Sequence, residues 1–564
     1  MRTRRPSDRR IRLLLLLLLA VLGISLVRAT WLQTVRAADL NQRASSQQSE
    51  TVTIPAGRGT IVDRMGVQLA IAEEAVTVYA NPRQVTSPRQ VALAAAKTLG
   101  VDADALYPQL LDKSKGFIYV MRKADAERAK ALERRNLAGV GFLREERRVY
   151  PQGAVAAHVL GYAGTDNRGL AGLELQLEPV LGGRDGSETF VKDPFGRVLN
   201  VVKSSPERPG RDVFLTIDHT IQANVESVLG STVSQWGAAR ATAVVLDAQS
   251  GGVLAMAVSP GFDANAYART DGDRHRNVAV TDTFEPGSTF KLVTVAAALS
   301  EGLVNESSPF TLPYGIHVAD RVVHDAEPRG TETMTVAQIL ARSSNVGAIT
   351  LAQLLGPQRL GRWIERFGFG KPTGIDFPGE TPGIVLPVER WSGSTIGNVP
   401  IGQGIGVTAV QMAAAYAAVA NGGMWIAPHL VDHVSGAGGV KPERRRVLSA
   451  PIADQVLRML ENVVLEGTGT LAAVPGYKIA GKTGTAAKPD PVNGGYSETN
   501  YVASFIGIVP ASRPRFVILV SVDEPRGAIW GGVIAAPAFK RIADFALQYL
   551  EVPPDDPASL TTSG

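Results

Sequence analysis

Asp282-Thr283-Phe284-Glu285-Pro286-Gly287-Ser288-Thr289-Phe290-Lys291-Leu292-Val293 joins turn chemistry to an apolar run. The Ala-rich stretch from Phe290 to Leu299 predicts a buried helix that starts just after Pro286-Gly287, with Ser288 at its N-terminus. Lys291 lies one turn on. Residues at i and i+3 share a helix face, so the spacing predicts a lysine amine within reach of the serine hydroxyl. The unpaired N–H groups of the helix start favour negative charge developing there. Apolar neighbours desolvate the ammonium and lower its pKa, leaving free amine to take a proton. These residues predict an activated serine nucleophile.

Lys291 is the only lysine with a serine three positions earlier, Ser343-Ser344-Asn345 is the only Ser-x-Asn, and Lys482-Thr483-Gly484 is the only Lys-Thr-Gly. Taken singly, each motif reads as a helix cap, a loop cap or a turn. In the order Ser-x-x-Lys, Ser-x-Asn, Lys-Thr-Gly they form the signature shared by penicillin-binding proteins and class A β-lactamases.

At 564 residues and 45% apolar composition the chain can bury several cores, which predicts two or three domains. The net charge of +5 is located at one end. Arg2, Arg4, Arg5, Arg9, Arg10 and Arg12, against Asp8, account for it, and basic and acidic residues balance beyond position 12. No excess remains to build a basic stripe on a folded domain, so no nucleic-acid partner is expected. Leu13 to Val27 is uncharged and almost wholly apolar, and is extended by Arg28, which can snorkel, and by Ala29-Thr30-Trp31-Leu32. This predicts a basic cytoplasmic tail over 1–12, a transmembrane anchor over 13–35 and everything beyond it outside the cytoplasm. Val35-Arg36-Ala37 is a poor cleavage site, so an uncleaved anchor is expected. With no cysteine, disulfides and thiolate chemistry are excluded. Seven scattered histidines without a His-Glu-x-x-His give no support to a metal, and no cofactor is expected.

Residues 36–50 read as a juxtamembrane linker. Pro55 to Ala70 alternates around glycine turns and predicts short strands, followed by helices near 89–111 and 124–137. The glycine-punctuated segment from Arg148 to Gly186 contains no phosphate loop, and His158 reads as a structural histidine. Val213 to Asp218 predicts a strand and Gln222 to Leu229 a helix. Ala243 to Asp247 and Val253 to Ala257, around Gly251-Gly252, predict a hairpin that opens a compact domain near 240. Helical patterns follow at 335–355, 407–420 and 451–466, then strands at 477–480, 501–509 and 515–522, and a helix over 536–550. The Pro-rich residues 551–564 read as a disordered tail.

The chain resembles the class B high-molecular-weight penicillin-binding proteins, which are membrane-anchored peptidoglycan D,D-transpeptidases. The resemblance covers nearly all of it, through the Arg-Gly-x-Ile-x-Asp-Arg string at Arg58 to Arg64, the Gly169 to Gly186 segment, Glu285 to Lys291, Gly402-Gln403-Gly404 with Thr408 and Gln411, and Gly467-Thr468-Gly469-Thr470. Thr281 to Gly287 is more similar to the division (septal) branch than to the elongation branch. Ala171-Gly172 stands where that class usually has Glu-Gly.

The resemblance implies an α+β protein: an N-terminal membrane helix, an elongated pedestal domain over 51–205 and a transpeptidase domain over 240–550 with helices packed on a five-stranded antiparallel sheet. It implies that Ser288 attacks the carbonyl between the two terminal D-alanines of a stem peptide, with Lys291 as base. Ser343 relays a proton to the leaving amine, while Asn345 orients Lys291 and the substrate backbone. Lys482 and Thr483 hold the terminal carboxylate, Gly484 lets the substrate approach, and the N–H groups of Ser288 and Thr485 form an oxyanion hole. The expected partners are peptidoglycan stem peptides, β-lactams, an integral-membrane glycan polymerase and other division proteins, at the cytoplasmic membrane of the division septum. A β-lactamase needs a Glu-x-x-Leu-Asn that is absent, a penicillin sensor needs more cytoplasmic or membrane apparatus, and an inactive scaffold does not need three intact motifs. There is no room for a glycosyltransferase domain between 51 and 240.

Overall fold

The structure, a computed structural model, describes residues 6–37, 49–192, 198–490 and 493–560. Most of the expected linker at 36–50, the first five residues of the basic tail and the last four residues of the chain lie outside them. The chain divides into two compact units, residues 1–57 with 183–209, and residues 58–182 with 210–564.

In the first unit, one uninterrupted helix runs over Pro6–Thr34, 29 residues with solvent-exposed leucines throughout. At about 1.5 Å per residue it is about 43 Å long, more than the roughly 30 Å hydrocarbon thickness of a bilayer. The Arg9–Thr34 part is long and apolar enough to cross a membrane. The same unit holds an antiparallel three-stranded sheet of Ser49–Ile54, Gly186–Lys192 and Val198–Ser205.

The second unit begins with a six-stranded sheet. Ile61–Val62, Gln68–Ala80, Ile118–Asp125 and Val140–Val149 are joined there by Val213–Leu215 and, from far along the chain, Val431–Val434. The Arg-Gly-x-Ile-x-Asp-Arg string is explained by what it holds. Arg58 is buried and its guanidinium donates to Glu174 at 2.7 Å and Glu178 at 2.7 Å, while Arg148 donates to the other oxygen of Glu174 at 2.6 Å. Removing one member would leave a buried charge without its partner. Asp63 caps its own turn through the N–H groups of Met65 and Val67 and meets His219 Nδ1 at 2.6 Å. Gly172 is required at its position, since φ is +56° and a Cβ there would lie 2.5 Å from the backbone nitrogen of Gly161.

The rest of this unit is built on a five-stranded, wholly antiparallel sheet of β1 (Arg240–Asp247), β2 (Val253–Ser259), β3 (Ala480–Pro489), β4 (Tyr496–Val509) and β5 (Phe516–Asp523). Its order is β2-β1-β5-β4-β3, which leaves β3 at an edge. Alternation sends successive side chains to opposite faces, and both faces are buried. Val244, Leu246, Ile506, Val517 and Leu519 pack into a large core with Phe290, Leu292 and the helix Ala409–Ala420. Ala243, Val245, Phe505, Ile518 and Val520 pack against the helices α1 (His219–Trp236) and Gly531–Tyr549.

Several expectations are corrected. The segment 335–355 is two helices, Val336–Ala341 and Asn345–Leu355, broken at the Ser-x-Asn motif. The segment 89–111 is likewise two, Pro88–Leu99 and Ala103–Leu111, because Gly100 takes a left-handed φ of +78° and Asp102 caps the second helix. The strands Ile118–Asp125 and Val140–Val149 were not foreseen. Residues 551–560 are not a disordered tail. Asp555 accepts from the backbone N–H of Lys478 and of Ser512, the Val552 carbonyl accepts from Tyr477, and Pro557–Leu560 forms a 3₁₀ turn.

Candidate active site

Ser288 stands in a 3₁₀ turn, Gly287–Phe290, that runs directly into the helix α2 (Lys291–Ser300). The turn exists because Pro286 pre-sets its entry and Gly287 takes φ +55°. Every residue of α2 from Lys291 to Leu299 is buried, so Lys291 is carried into the core, where its amine has to find polar partners from other elements.

That amine is turned toward the Ser-x-Asn motif. Lys291 Nζ donates to the Ser343 carbonyl at 2.5 Å, to Ser343 Oγ at 3.3 Å and to Asn345 Oδ1 at 2.7 Å. Among the described residues no hydrogen bond joins it to Ser288, its neighbour one turn back. Burial pulls the Lys291 pKa down to about 7, partly countered by the charge of Asp325.

Ser343 lies in the break between α3 (Val336–Ala341) and α4 (Asn345–Leu355), with a left-handed φ of +60°. A serine there costs free energy unless its surroundings hold it. They do. Ser344 Oγ caps α4 by accepting from Gly347 N and donates to the buried carboxylate of Asp325 at 3.0 Å, which also accepts from Val346 N at 3.0 Å. Arg329 closes the network on Asp325 at 2.6 Å, and Asn345 Nδ2 donates to the His324 carbonyl at 2.9 Å. Thus Ser343 is a turn residue and Asn345 the first residue of a helix, not parts of one loose loop. Asp325 is the residue the sequence did not reveal, since it lies 18 positions before Ser343 in an unpatterned stretch.

Across the cleft, β3 carries Lys482, Thr483, Gly484 and Thr485 on the edge of the sheet. Lys482 is fully buried, and its pKa is driven well down by desolvation and by the nearby Lys291. Its amine meets the carbonyl and the hydroxyl of Thr483, each at 3.3 Å. The Thr483 hydroxyl pairs with that of Thr468 at 2.6 Å, which explains the Gly467 to Thr470 motif. Thr485 Oγ1 accepts from Gly531 N at 3.1 Å, fixing the start of the last helix against the strand. At Gly484 the crowding comes from the protein itself. A Cβ there would lie 2.3 Å from Ser504 Oγ and 2.9 Å from the Pro286 carbonyl, so glycine lets the turn that carries Ser288 rest on β3.

The remaining motif sits beside the same turn. Gly287 N donates to the Gly402 carbonyl at 3.0 Å, Gly404 N donates to Glu285 Oε1 at 2.9 Å, and Thr408 with Gln411 forms a reciprocal cap for Ala409–Ala420. Among the described residues no group of three metal-ligating side chains occurs. A serine beside a buried near-neutral lysine, opposite a second lysine, a hydroxyl pair and free strand edge, suits acyl transfer to and from an extended peptide ending in a carboxylate.

A family profile described as penicillin binding protein transpeptidase domain matches residues 241–544, and one described as penicillin-binding protein dimerisation domain matches 53–215. Penicillin-binding protein PbpB of Mycolicibacterium smegmatis is 36% identical, over 97% of this chain and 91% of its own. Peptidoglycan D,D-transpeptidase FtsI of Escherichia coli K12 is 33% identical, over 97% of this chain and 92% of its own. Penicillin binding protein 3 of Mycobacterium tuberculosis, solved in complex with aztreonam, superposes with a TM-score of 0.72 at 33% identity, covering 90% of this chain and 99% of that one.

Proposed function

The chain belongs to the penicillin-binding protein transpeptidases, and from that premise we propose how its own residues perform the reaction. The protein is a peptidoglycan D,D-transpeptidase that binds β-lactams covalently, and among the described residues one helix is long and apolar enough for single-pass anchoring. Lys291, as free amine, takes the Ser288 proton while Oγ attacks the carbonyl carbon between the two terminal D-alanines. The oxyanion is received by the N–H groups of Ser288 and Thr485, donors worth about 3 kcal/mol each where preorganised. As the peptide C–N bond breaks, Ser343 passes a proton from Lys291 to the leaving D-alanine amine. Asn345 holds the lysine and the substrate backbone, and Lys482 with Thr483 holds the terminal carboxylate. An amine of a second stem peptide then attacks the acyl carbon, Lys291 takes its proton and returns it to Ser288 Oγ as the ester C–O bond breaks, and the cross-linked peptide is released. The observation that carries this reading is the buried Lys291 amine, with a pKa of about 7, held between Ser343 and Asn345 one turn from Ser288.

The division of labour is part of the proposal. Residues 1–12 form the cytoplasmic tail, 13–35 the anchor, 36–50 the linker, 51–205 a pedestal without a nucleophile and 240–550 the catalytic domain. The septal motif at Thr281 to Gly287 supports duty at division, beside an integral-membrane glycan polymerase contacted through the anchor and the turns at Arg58 to Ala70. The test has two parts. Purified full-length protein given a pentapeptide donor and an amine acceptor forms a cross-linked product that Ser288→Ala does not form. A form lacking residues 1–35 and exported by a cleavable signal still labels with penicillin, does not co-purify with the polymerase and does not restore division to a depleted strain. Full complementation by that form would contradict coupling through the anchor.

A further inference from the structure

The two residues that flank Ser288 are both held by one stretch of chain, residues 402–416. On one side, Gly287 N donates to the Gly402 carbonyl at 3.0 Å. On the other, the Tyr416 hydroxyl donates to the Thr289 carbonyl at 2.8 Å. The first contact leaves no room for a side chain, since Gly402 has φ +77° and a Cβ there would lie 2.1 Å from the Gly287 oxygen. Between the two, Thr289 Oγ1 donates to the Pro286 carbonyl at 2.7 Å and closes the turn on itself. None of the steps above uses Tyr416.

From Met412 to Ala420 the helix reads Met-Ala-Ala-Ala-Tyr-Ala-Ala-Val-Ala, and Tyr416 brings the only polar side chain of that run. It is wholly buried, in the core that also takes Phe290 and Leu292. A buried hydroxyl without a partner costs free energy, whereas phenylalanine would fill the same space without needing one. The Thr289 carbonyl is the partner. Desolvation holds the Tyr416 pKa well above the usual phenol range, so the hydroxyl keeps its proton and stays a donor. The helix is itself fixed, by the reciprocal cap of Thr408 with Gln411 and by unbroken burial from Ala409 to Val419. Tyr416 is therefore the fixed end of this contact and the turn is the part it holds.

Peptide units are rigid planes, so the place of the Thr289 carbonyl constrains the neighbouring Ser288–Thr289 unit and Ser288 with it. In the reaction above Ser288 supplies two groups, Oγ as nucleophile and N–H as oxyanion donor. Such a donor acts only when it is aimed at the site where the oxyanion forms, and a misplacement of about 1 Å can cost about a hundredfold in rate.

We propose that Tyr416 is a positioning residue of this reaction: its hydroxyl, through the Thr289 carbonyl, holds Ser288 in the orientation that both formation and breakdown of the acyl-enzyme require. The inference rests on the transpeptidase reading and deepens it.

The test uses full-length protein in detergent and the Tyr416→Phe variant, which keeps the ring and removes the hydroxyl. Stopped-flow acylation over a range of chromogenic cephalosporin concentrations separates the first-order acylation rate from the dissociation constant of the noncovalent complex. Hydrolysis of the resulting adduct is followed afterwards. The acylation rate should fall about tenfold, as for a displacement well short of 1 Å, and hydrolysis should slow by a similar factor, because both steps pass through an oxyanion at the same donors. The dissociation constant and the final extent of labelling should match wild type. 4-Aminophenylalanine in place of Tyr416 keeps an N–H donor at the same point and should recover most of the lost rate. Rates unchanged from wild type, even with a lower melting temperature, overturn the proposal, because the hydroxyl would then serve the core alone. So do a loss confined to one step or to the dissociation constant, and an equal loss with the donor kept. If Tyr416→Phe does not fold, 4-fluorophenylalanine in place of Tyr416, which fills the space of the hydroxyl without a proton to donate, is held to the same outcomes. Mapping of the benzylpenicillin adduct runs in parallel. An adduct on Ser288 with unchanged rates sinks this inference alone, whereas an adduct elsewhere sinks the reading beneath it.

Discussion

Lys291 Nζ lies 2.7 Å from Asn345 Oδ1, although the two residues are 54 positions apart, and this contact joins the nucleophile helix to the helix that begins at the Ser-x-Asn motif. The Lys291 amine is therefore positioned by the Ser-x-Asn motif rather than by its own helix. Its ammonium is removed from water on all sides.

The first consequence is a pH profile. With a Lys291 pKa of about 7, the acylation rate should rise close to tenfold per pH unit below about 7 and flatten above it. In the unfolded chain the same lysine titrates near 10.5, so between about 7 and 10.5 the unfolded state binds the extra proton. This group's contribution to stability therefore increases as pH rises through that window. Stopped-flow acylation by a chromogenic β-lactam across pH checks the rate. A flat profile from pH 5 to 9 would contradict the role of Lys291.

Asp325 acts through other residues, so its replacement should affect both rate and pH dependence. Asp325→Asn removes the negative charge that raises the Lys291 pKa, and the acid limb should move to lower pH. It also weakens charge-assisted bonds to Ser344, Val346 and Arg329, about 1.5 to 3 kcal/mol each, and acylation should slow at least tenfold. A slower enzyme with an unmoved acid limb would leave Asp325 as scaffold only.

Thr468→Val removes the hydroxyl that pairs with Thr483 at 2.6 Å while keeping the volume. Loss of one neutral hydrogen bond, about 1 kcal/mol, should cut acylation roughly fivefold with little change in melting temperature. Lys482→Ala and Thr483→Ala should each cost ten- to a hundredfold, because they act on the substrate carboxylate itself. Wild-type kinetics in a folded double variant would refute that assignment.

Gly484→Ala should be damaging out of proportion to one methyl group. The added Cβ meets Ser504 Oγ at 2.3 Å and the Pro286 carbonyl at 2.9 Å, so either β3 or the turn that carries Ser288 must shift. Both a lower melting temperature, by a few degrees for about 1 to 3 kcal/mol of overpacking, and a loss of penicillin labelling are expected. An intact, fully reactive Gly484→Ala would show that the turn and the strand are not locked together.

The motifs of the candidate site were legible in the sequence through their spacing. Ser288 and Lys291 are one turn apart because the 3₁₀ turn runs directly into the helix, and Lys482 to Thr485 lie on β3, an edge strand of the sheet. The strands themselves were legible in runs such as Ala243 to Asp247 and Phe516 to Val522, whose two buried faces leave little polar alternation, whereas their assembly into one five-stranded sheet was implied only by the family resemblance. What stayed hidden depends on partners distant in sequence. Asp325 supports Ser344 from an unpatterned segment, and Val431–Val434 joins a sheet whose other strands precede residue 216. The prolines and aspartates of 551–560 look disordered in composition, whereas Asp555 has specific N–H donors to accept from, at Lys478 and Ser512, which composition does not show.

The central claim is that Ser288 is the acylated nucleophile, and intact-mass measurement of the full-length protein after benzylpenicillin tests it most directly. The account predicts one added drug mass per chain, on the peptide carrying Ser288. The adduct should persist for many minutes, because the Asp325 carboxylate behind the Ser-x-Asn motif is tied to Ser344, Val346 and Arg329 and is not placed to activate water. Ser288→Ala should carry no adduct. An adduct that persists in Ser288→Ala, or maps to another residue, would contradict the account.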